Sequence, residues 1–331
     1  MEGVTVIGTL QIRNFKSIRD LKIKCRRVNI LIGEPNTGKS NILEAIGLLS
    51  FLGHDGDLGK YVRIERFSNI FYDEDLENEV IIRADNRVLR IVFKDGEFHG
   101  YFHKDRETAG EKRLFVATIS GGLSRTLEPE LRDFKFYRFS VLMEFPGKSS
   151  EFLMPPSGDN LLMILLTKKS IRSLVNSIME RYGLRLVLKP QEQKIEVLKQ
   201  YEDIFISYPY HLASETLQRI IFFITAVMSN RNSIITFEEP EAHAFPYYTK
   251  ILAEMIARDE NNQYFISTHD PYFLHSIIEK TPKDQVNVLI TYFKDYETKV
   301  KPLSEKDLSE VLSLETDIFF DISKFLEEEH E

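Results

Sequence analysis

Short segments in which apolar and polar residues alternate occupy the N-terminal part of the chain. Residues 9–18 and 21–24 alternate in this way, which predicts two half-exposed antiparallel strands joined by a turn. The region 54–140 carries more such segments, separated by turn signals such as Asp95-Gly96, and we expect an antiparallel sheet inserted there. These segments are residues 79–84, 88–93, 98–102, 114–119 and 134–139.

A second pattern consists of short runs that are apolar almost throughout, which predicts buried strands. Residues 28–32, 234–238 and 263–267 have this pattern. Helical periodicity appears at 170–182 and 247–257, and an apolar hairpin is predicted beyond the first of these helices. Buried strands together with amphipathic helices predict an α/β fold.

Composition narrows the class of protein. The chain has 331 residues, with 43 Lys and Arg against 51 Asp and Glu, a net charge of −8 and a pI near 5.6. This balance argues against non-specific coating of nucleic acid, although a local basic patch is compatible with it. A single cysteine, Cys25, excludes an internal disulfide and fits a reducing cytosol. The longest apolar stretch, residues 220–228, is too short to span a bilayer, so we expect a cytoplasmic protein without a membrane partner.

The first buried strand breaks into a glycine-bounded loop with the pattern of a P-loop. The loop is Gly33-Glu34-Pro35-Asn36-Thr37-Gly38-Lys39-Ser40, and Asn41 continues into an amphipathic helix. Glycines let the backbone N–H groups approach phosphates at the positive end of the helix. We expect the whole loop and Asn41 to bind ATP, with Lys39 bridging the β- and γ-phosphates and the Ser40 hydroxyl binding Mg²⁺.

Two carboxylates end the second buried strand. Mg·ATP hydrolysis needs such a pair beside a P-loop, and we assign Glu238 to the metal and Glu239 to the general base. His269 follows the third buried strand, at the carboxyl end where ligands bind in open α/β sheets. A histidine there can hydrogen-bond the γ-phosphate, so Glu239 and His269 are the predicted catalytic residues.

A capped helix precedes the acidic strand. Ser214 is a favourable N-cap and Glu215 suits the first turn. By contrast, the Ser-Gly-Gly run at 120–122 is followed by a further predicted strand, so we interpret it as a turn. Lys168, Lys169 and Arg172 form a small basic cluster that fits a solvated face better than a nucleic-acid contact.

Taken in order, the P-loop, the capped helix, the acidic strand, the Pro-Glu-Ala-His loop at 240–243 and the Ser-Thr-His strand tip resemble the ABC-type ATPase heads of the SMC/RecF group. The likeness is greatest to AAA ATPases related to the OLD-family (overcoming lysogenization defect) nucleases, and residues 12–18 are also similar to theirs. It covers residues 9–52 and 205–280 well and the middle only loosely. The resemblance implies a P-loop NTPase fold with an antiparallel β lobe and a helical lid.

The same resemblance implies a head-to-tail homodimer, in which Ser214 and Glu215 act as the signature over the ATP of the other subunit. It places Asn36 and Glu241, the D-loop residue, near the interface. Glu238 stands where relatives have Asp, and the glutamine of the Q-loop is unassigned because none occurs between Ser40 and Gln191. Relatives often carry a C-terminal nuclease domain. Too few residues follow His269 for one, so we expect any nuclease on a separate chain.

These inferences predict one ATPase head over residues 1–331. Its parts are strands and P-loop at 1–52, a β-rich insertion at 54–140, a helical lid at 158–212, the signature helix with the acidic and histidine strands at 213–292, and a helical tail at 293–331. The expected function is ATP binding and hydrolysis with ATP-dependent dimerisation, acting on a DNA-maintenance or anti-phage partner, with DNA or a separate effector chain as candidate partners. A nucleotide-gated binding module with little turnover is the alternative, ahead of a transporter subunit.

Overall fold

The computed structural model describes residues 6–105, 110–313, 318–319 and 322–327. Within them, the strands in chain order are β1 Thr9–Phe15, β2 Ile18–Lys24, β3 Val28–Ile32, β4 Val80–Ala84, β5 Arg87–Lys94, β6 Glu97–Lys104, β7 Lys112–Thr118, β8 Leu123–Arg125, β9 Phe134–Tyr137, β10 Leu184–Lys189, β11 Lys194–Tyr201, β12 Ile204–Pro209, β13 Ile234–Glu238, β14 Gln263–Ser267, β15 Val286–Lys294 and β16 Glu297–Pro302. The α-helices are α1 Lys39–Gly53, α2 Leu58–Tyr61, α3 Leu161–Thr167, α4 Lys169–Glu180, α5 Glu215–Ser229, α6 Pro246–Arg258, α7 Pro271–Lys280, α8 Glu305–Ser313 and α9 Ile322–Glu327.

The apolar runs form the middle of a six-stranded sheet in the order β16-β15-β3-β14-β13-β9. All neighbours are parallel except β16, which pairs antiparallel with β15. Both faces of β3 and β14 are buried, which explains why these segments are apolar throughout. β14 lies between the strand before the P-loop and the strand that ends in Glu238, so their carboxyl ends share one edge.

The alternating segments form a seven-stranded antiparallel sheet in the order β2-β1-β4-β5-β6-β7-β8. The expected separate insertion at 54–140 is corrected in two ways. β1 pairs with β4, so the N-terminal strands and the inserted ones make a single sheet. β9 leaves this region and pairs in parallel with β13, so it belongs to the other sheet.

Helix α1 lies between the two sheets. Nearly all of its residues are buried, because one side packs on the parallel sheet and the other on the antiparallel lobe. The amphipathic helix expected from the sequence is therefore buried on both sides, which is typical of a helix between two layers. The opposite face of the parallel sheet is covered mainly by α5, α6 and α7.

Two further expected boundaries are wrong. The lid at 158–212 contains α3 and α4 but also a three-stranded sheet in the order β10-β11-β12, because the predicted hairpin gains a third strand. The expected helical tail at 293–331 begins instead as the end of β15 and the whole of β16. That hairpin is not peripheral, since it packs against the P-loop.

One buried side chain joins the start of the antiparallel lobe to the parallel sheet. Gln263, at the start of β14, accepts a hydrogen bond from the Ile7 N–H at 3.0 Å and donates to the Ile7 and Arg26 carbonyls at 2.9 and 2.8 Å. Its side chain is fully buried. These bonds satisfy backbone groups that the ladders leave free.

We expect Gln263→Leu to lower the free energy of unfolding by about 2–3 kcal/mol, because it leaves the buried N–H and C=O of Ile7 without their partner, whereas the Arg26 carbonyl keeps a bond from Asn29. Urea denaturation measures this loss. The matched control is Gln191→Leu, an exposed position that should change stability by less than about 0.5 kcal/mol. Equal effects of the two variants would contradict a joining role for Gln263.

Candidate nucleotide site

The parallel register brings the predicted site residues to one edge of the sheet. Leu31 of β3 lies beside Ser267 of β14, which in turn lies beside Glu238 of β13. The P-loop, the Ser-Thr-His tip and the two carboxylates therefore leave the sheet at the same height. Lys39 and Glu239 are close enough for their charges to interact, and so are Lys39 and His269.

The two P-loop glycines are required by the β15–β16 hairpin behind them. Gly33 has φ of 149° and Gly38 has φ of 97°, and both values are unfavourable for residues with a side chain. A Cβ at Gly33 would lie 2.4 Å from the Thr291 hydroxyl, and one at Gly38 would lie 2.0 Å from that of Thr298. Thr37 also contacts Thr291, with their hydroxyl oxygens 2.7 Å apart. No sequence signal pointed to the contact of these two hairpin threonines with the loop.

The loop ends at the start of α1, where its backbone N–H groups are accessible to an anion. Gly38 is the N-cap and has no side chain to accept their hydrogen bonds. The Lys39 ammonium donates to the Gly33 and Glu34 carbonyls at 2.7 and 2.8 Å. Burial lowers the pKa of Lys39 to about 8, and the carboxylate of Glu239 acts in the opposite direction. This arrangement suits a polyphosphate.

A cavity of about 760 Å³ adjoins the outer side of the loop. It is lined by residues 34–37, by the β15–β16 hairpin including Tyr292 and Phe293, and by α9. Its volume is in the range of small-ligand sites. The turn between β1 and β2 contacts the P-loop helix, where Asn41 donates to the Ser17 hydroxyl at 2.7 Å.

Ser40 and Glu238 supply an oxygen donor set that fits Mg²⁺. The Ser40 hydroxyl is within hydrogen-bonding reach of the Glu238 carboxylate, so the two predicted ligands are adjacent. The pKa of Glu238 is lowered by Ser40, Arg138 and Arg63, although burial alone would raise it. An ionised carboxylate beside a hydroxyl is the ligand type that this hard cation prefers.

A charge cluster that was not predicted from the sequence holds Glu238. The Glu238 carboxylate accepts from Arg63 at 2.9 Å and from Arg138 at 3.0 Å. Both arginines also reach Glu44, a fully buried carboxylate on α1, at 2.6 and 3.2 Å, and Lys16 bonds the same carboxylate. Glu44 follows Ser40 by one helical turn, so the cluster ties the metal carboxylate to the P-loop helix.

Glu239 and His269 meet across the edge of the sheet. The His269 Nε2 atom lies 3.4 Å from a Glu239 carboxylate oxygen, and both side chains are partly exposed. Burial and the charge of Lys39 lower the pKa of His269, with Glu239 opposing them. Glu239 has φ of 44°, the left-handed region that non-glycine residues seldom adopt and that is often seen at functional sites.

Glu241 is buried inside its own subunit, and its expected place near an interface stays a prediction. Its carboxylate accepts from the Thr268 hydroxyl at 2.6 Å and from the His269 N–H at 3.1 Å. It therefore holds the loop after Glu239 against the tip of β14. The other predicted interface residue, Asn36, is exposed at the tip of the P-loop.

Ser214 and Glu215 lie apart from these groups. Ser214 occupies the N-cap of α5, but its side chain makes no capping hydrogen bond and is exposed. Glu215 pairs with Arg219 at 3.6 Å, and Arg219 donates to the Glu239 carbonyl at 3.1 Å. The start of α5 is thus fixed beside the acidic loop while the Ser214 hydroxyl faces outward.

This fold and this edge define an α/β protein with the P-loop NTPase fold that is also seen in SMC heads. Residues 28–275, well over half of the chain, match the family model described as "AAA domain, putative AbiEii toxin, Type IV TA system", and the chain belongs to this AAA_21 family. The matched range begins at β3 and ends within α7, so it includes every residue of the edge described above.

A solved structure has the same fold. The chain is similar to the "SmcHead bound to the C-winged helix domain of ScpA", with a TM-score of 0.54 and 18% identity over 91% of this chain and 99% of the other. It also matches the Smc head domain with an extended coiled coil bound to the C-terminal domain of ScpA derived from Pyrococcus furiosus, with a TM-score of 0.48 and 15% identity over 92% and 98% of the two chains. At identities this low, the likeness is one of fold alone.

A curated relative is the uncharacterized protein MJECL10 of Methanocaldococcus jannaschii, which is 31% identical over 96 residues. The match spans 25% of this chain and 43% of that protein's length. Across the described residues, none of the helices combines the length and the apolar character needed to cross a membrane.

The carboxyl of Glu241 gives a pH-dependent prediction. Burial raises its pKa from 4.5 to about 7, so the folded protein binds more protons than the unfolded chain between these values. Its contribution to stability is present below the lower value and is lost as the pH rises through the upper one. Wild type should therefore lose free energy of unfolding as the pH rises from about 5 to about 8. We expect Glu241→Gln, which keeps an oxygen for Thr268, to show a loss that is smaller by about 2 kcal/mol.

Urea denaturation across this pH range measures the difference. Glu65→Gln is the control, because Glu65 is exposed and its side chain has no partner among the described residues. Its pH profile should follow that of wild type. A Glu241→Gln profile parallel to wild type would mean that Glu241 does not titrate in this range.

Proposed function

We propose that the protein binds and hydrolyses ATP with Mg²⁺, and that ATP drives a head-to-tail homodimer acting on a DNA-maintenance or anti-phage partner. The observation that supports it most is the meeting of Lys39 and Ser40 with Glu238 and Glu239 at one edge of the parallel sheet. These residues are about two hundred positions apart in the chain, and only the insertion of β14 between β3 and β13 brings them together.

Each residue at this edge has a role that fits its surroundings. The α1 N–H groups and Lys39 bind and orient the phosphates, and Ser40 and Glu238 hold the metal, which when bound polarises the phosphates and offsets their charge. Glu239, partly exposed and without a bond to the arginines that hold Glu238, takes a proton from the attacking water. His269, beside it, hydrogen-bonds the terminal phosphate.

Dimerisation is supported by the Ser214 hydroxyl, which makes no hydrogen bond within the described part of the subunit. An N-cap hydroxyl normally accepts from its own helix, yet that of Ser214 has no hydrogen-bond partner among the described residues. It is therefore free to contact the nucleotide of a second subunit. Exposed apolar side chains at Leu212 and Phe245 flank it, as expected for an area that becomes covered.

The partner is the least constrained part of the proposal. The SmcHead structure carries the C-winged helix domain of ScpA, so a head of this fold can bind a separate protein. We propose, from the resemblance to OLD-related ATPases, that the partner here is a separate nuclease or effector chain, with DNA as its substrate.

A nucleotide-gated binding module is the second candidate. It is favoured by Glu238, because both of its oxygens are engaged by arginines and a guanidinium competes with a metal for the same carboxylate. Binding would then matter more than turnover. Fast turnover that DNA stimulates further would exclude this candidate.

Replacing Lys39 tests the ATPase proposal. We expect Lys39→Ala to lower ATP turnover by about a hundredfold or more, because the phosphates lose their buried cation. Phosphate release measures turnover, and calorimetry with Mg·ATP measures binding. Lys199→Ala, an exposed lysine without a side-chain partner among the described residues, should match wild type. No heat from Mg·ATP with the wild-type protein would overturn the proposal.

Replacing Glu239 tests the dimer. We expect Glu239→Gln to bind ATP but to accumulate as a dimer, because the interface persists when hydrolysis is blocked. Light scattering with and without Mg·ATP measures the mass. Adding Ser214→Arg should restore the monomer, whereas adding Ser120→Arg, on an exposed turn of the antiparallel lobe, should not. A Glu239→Gln protein that binds ATP but stays monomeric would contradict the head-to-tail arrangement.

A further inference from the structure

A second cavity lies at the opposite edge of the parallel sheet. It has a volume of about 640 Å³ and is formed where β9 and β13 begin and where α4 starts. Four cationic side chains line it, namely Arg132, Lys135, Lys168 and Arg231. The nucleotide site is at the carboxyl ends of these strands, so the two sites share no residue.

The cations of this cavity are not neutralised by the protein. Arg132 and Arg231 are exposed and Lys168 is half-buried, and none of the three side chains has a hydrogen bond or an ion pair among the described residues. Two acids also line the cavity. Asp133 is engaged by Arg87 at 2.7 Å, which leaves Glu151 as the acid that faces the cations. A positive site therefore occurs on a chain whose net charge is −8.

Lys135 makes this cavity more than a basic surface. It lies on β9 with 5% of its surface exposed, and its ammonium donates to the Asn230 side chain at 2.7 Å and lies 3.4 Å from the centre of the Phe152 ring. An ammonium has three donors, so two remain for a ligand. Burial lowers the pKa of Lys135 to about 7, a cost that an anion in the cavity would offset.

We propose that this cavity binds a phosphate-bearing anion, with Lys135 at its base and Arg132, Lys168 and Arg231 around its mouth. The N-terminus of α4 adds its N–H groups to the same site, since Lys168 is its N-cap and provides no side-chain cap. The aromatic ring at the site, Phe152, is buried beneath Lys135, so the chemistry favours phosphate over a stacked base. Both a free diphosphate and the backbone of a nucleic acid have this chemistry.

The experiment separates this site from the nucleotide site by using Lys39→Ala as the background. Inorganic pyrophosphate is titrated by calorimetry into Lys39→Ala and into the same protein with Arg132→Glu and Arg231→Glu. We expect the background protein to bind pyrophosphate and the charge reversals to weaken binding by about a hundredfold, since two charged contacts become repulsive. Lys39→Ala with Lys199→Glu is the control and should bind as the background does.

A second titration identifies the source of the phosphate. A short DNA duplex that competes with pyrophosphate, with an affinity that falls steeply as salt rises, indicates a nucleic-acid backbone. A duplex that does not compete indicates a free phosphate ligand. Lys135→Met checks the buried cation and should weaken pyrophosphate binding about tenfold or more.

No binding of either probe to the Lys39→Ala protein, or binding that the charge reversals leave unchanged, would overturn the second site. Circular dichroism spectra should confirm that the variants are folded, which is expected because Arg132 and Arg231 are exposed. Failure of the nucleotide proposal would not affect this result, since Lys39 is absent throughout.

Discussion

The site depends on the placement of β14 between β3 and β13. Each ladder is parallel, so the heights of Leu31, Ser267 and Glu238 are fixed by backbone hydrogen bonds. Whatever follows these strands must leave the sheet at the same level. The P-loop, the histidine tip and the acidic loop are therefore positioned by the backbone, and Glu241 then bonds two of them together.

The charge cluster around Glu44 is a costly feature that the fold retains. Burying a carboxylate with three cations costs desolvation energy that mutual attraction seldom repays in full, so apolar residues would often be as stable. The position of this cluster, between the P-loop helix and Glu238, explains it better than a contribution to folding stability does. Arg63 and Arg138 bond Glu44 and Glu238 together, so the cluster sets where the Glu238 carboxylate lies relative to Ser40.

The parts of this protein that sequence predicts are those encoded by neighbouring residues. The P-loop, the acidic strand and the tip before His269 each lie within a few consecutive positions. The buried strands are predicted by unbroken apolar runs. Arg138 and Glu44 carry no such signal, because their partners lie far away in the chain. β16 was not predicted because its exposed face is charged, and the hydrogen bond between Thr268 and Glu241 joins positions too far apart for the sequence to show it.

Helix α5 connects the two edges of the molecule. Its first turn follows Ser214 and contacts the acidic loop through Arg219, and its last turn ends at Asn230, which bonds Lys135 beside the cationic cavity. With 15 residues it is about 22 Å long. Most of its side chains are buried, so it can move only as a rigid body with the helices around it. A displacement of this helix would therefore be felt at both edges, and by linkage an anion and a nucleotide coupled through it would change each other's affinity by the same factor.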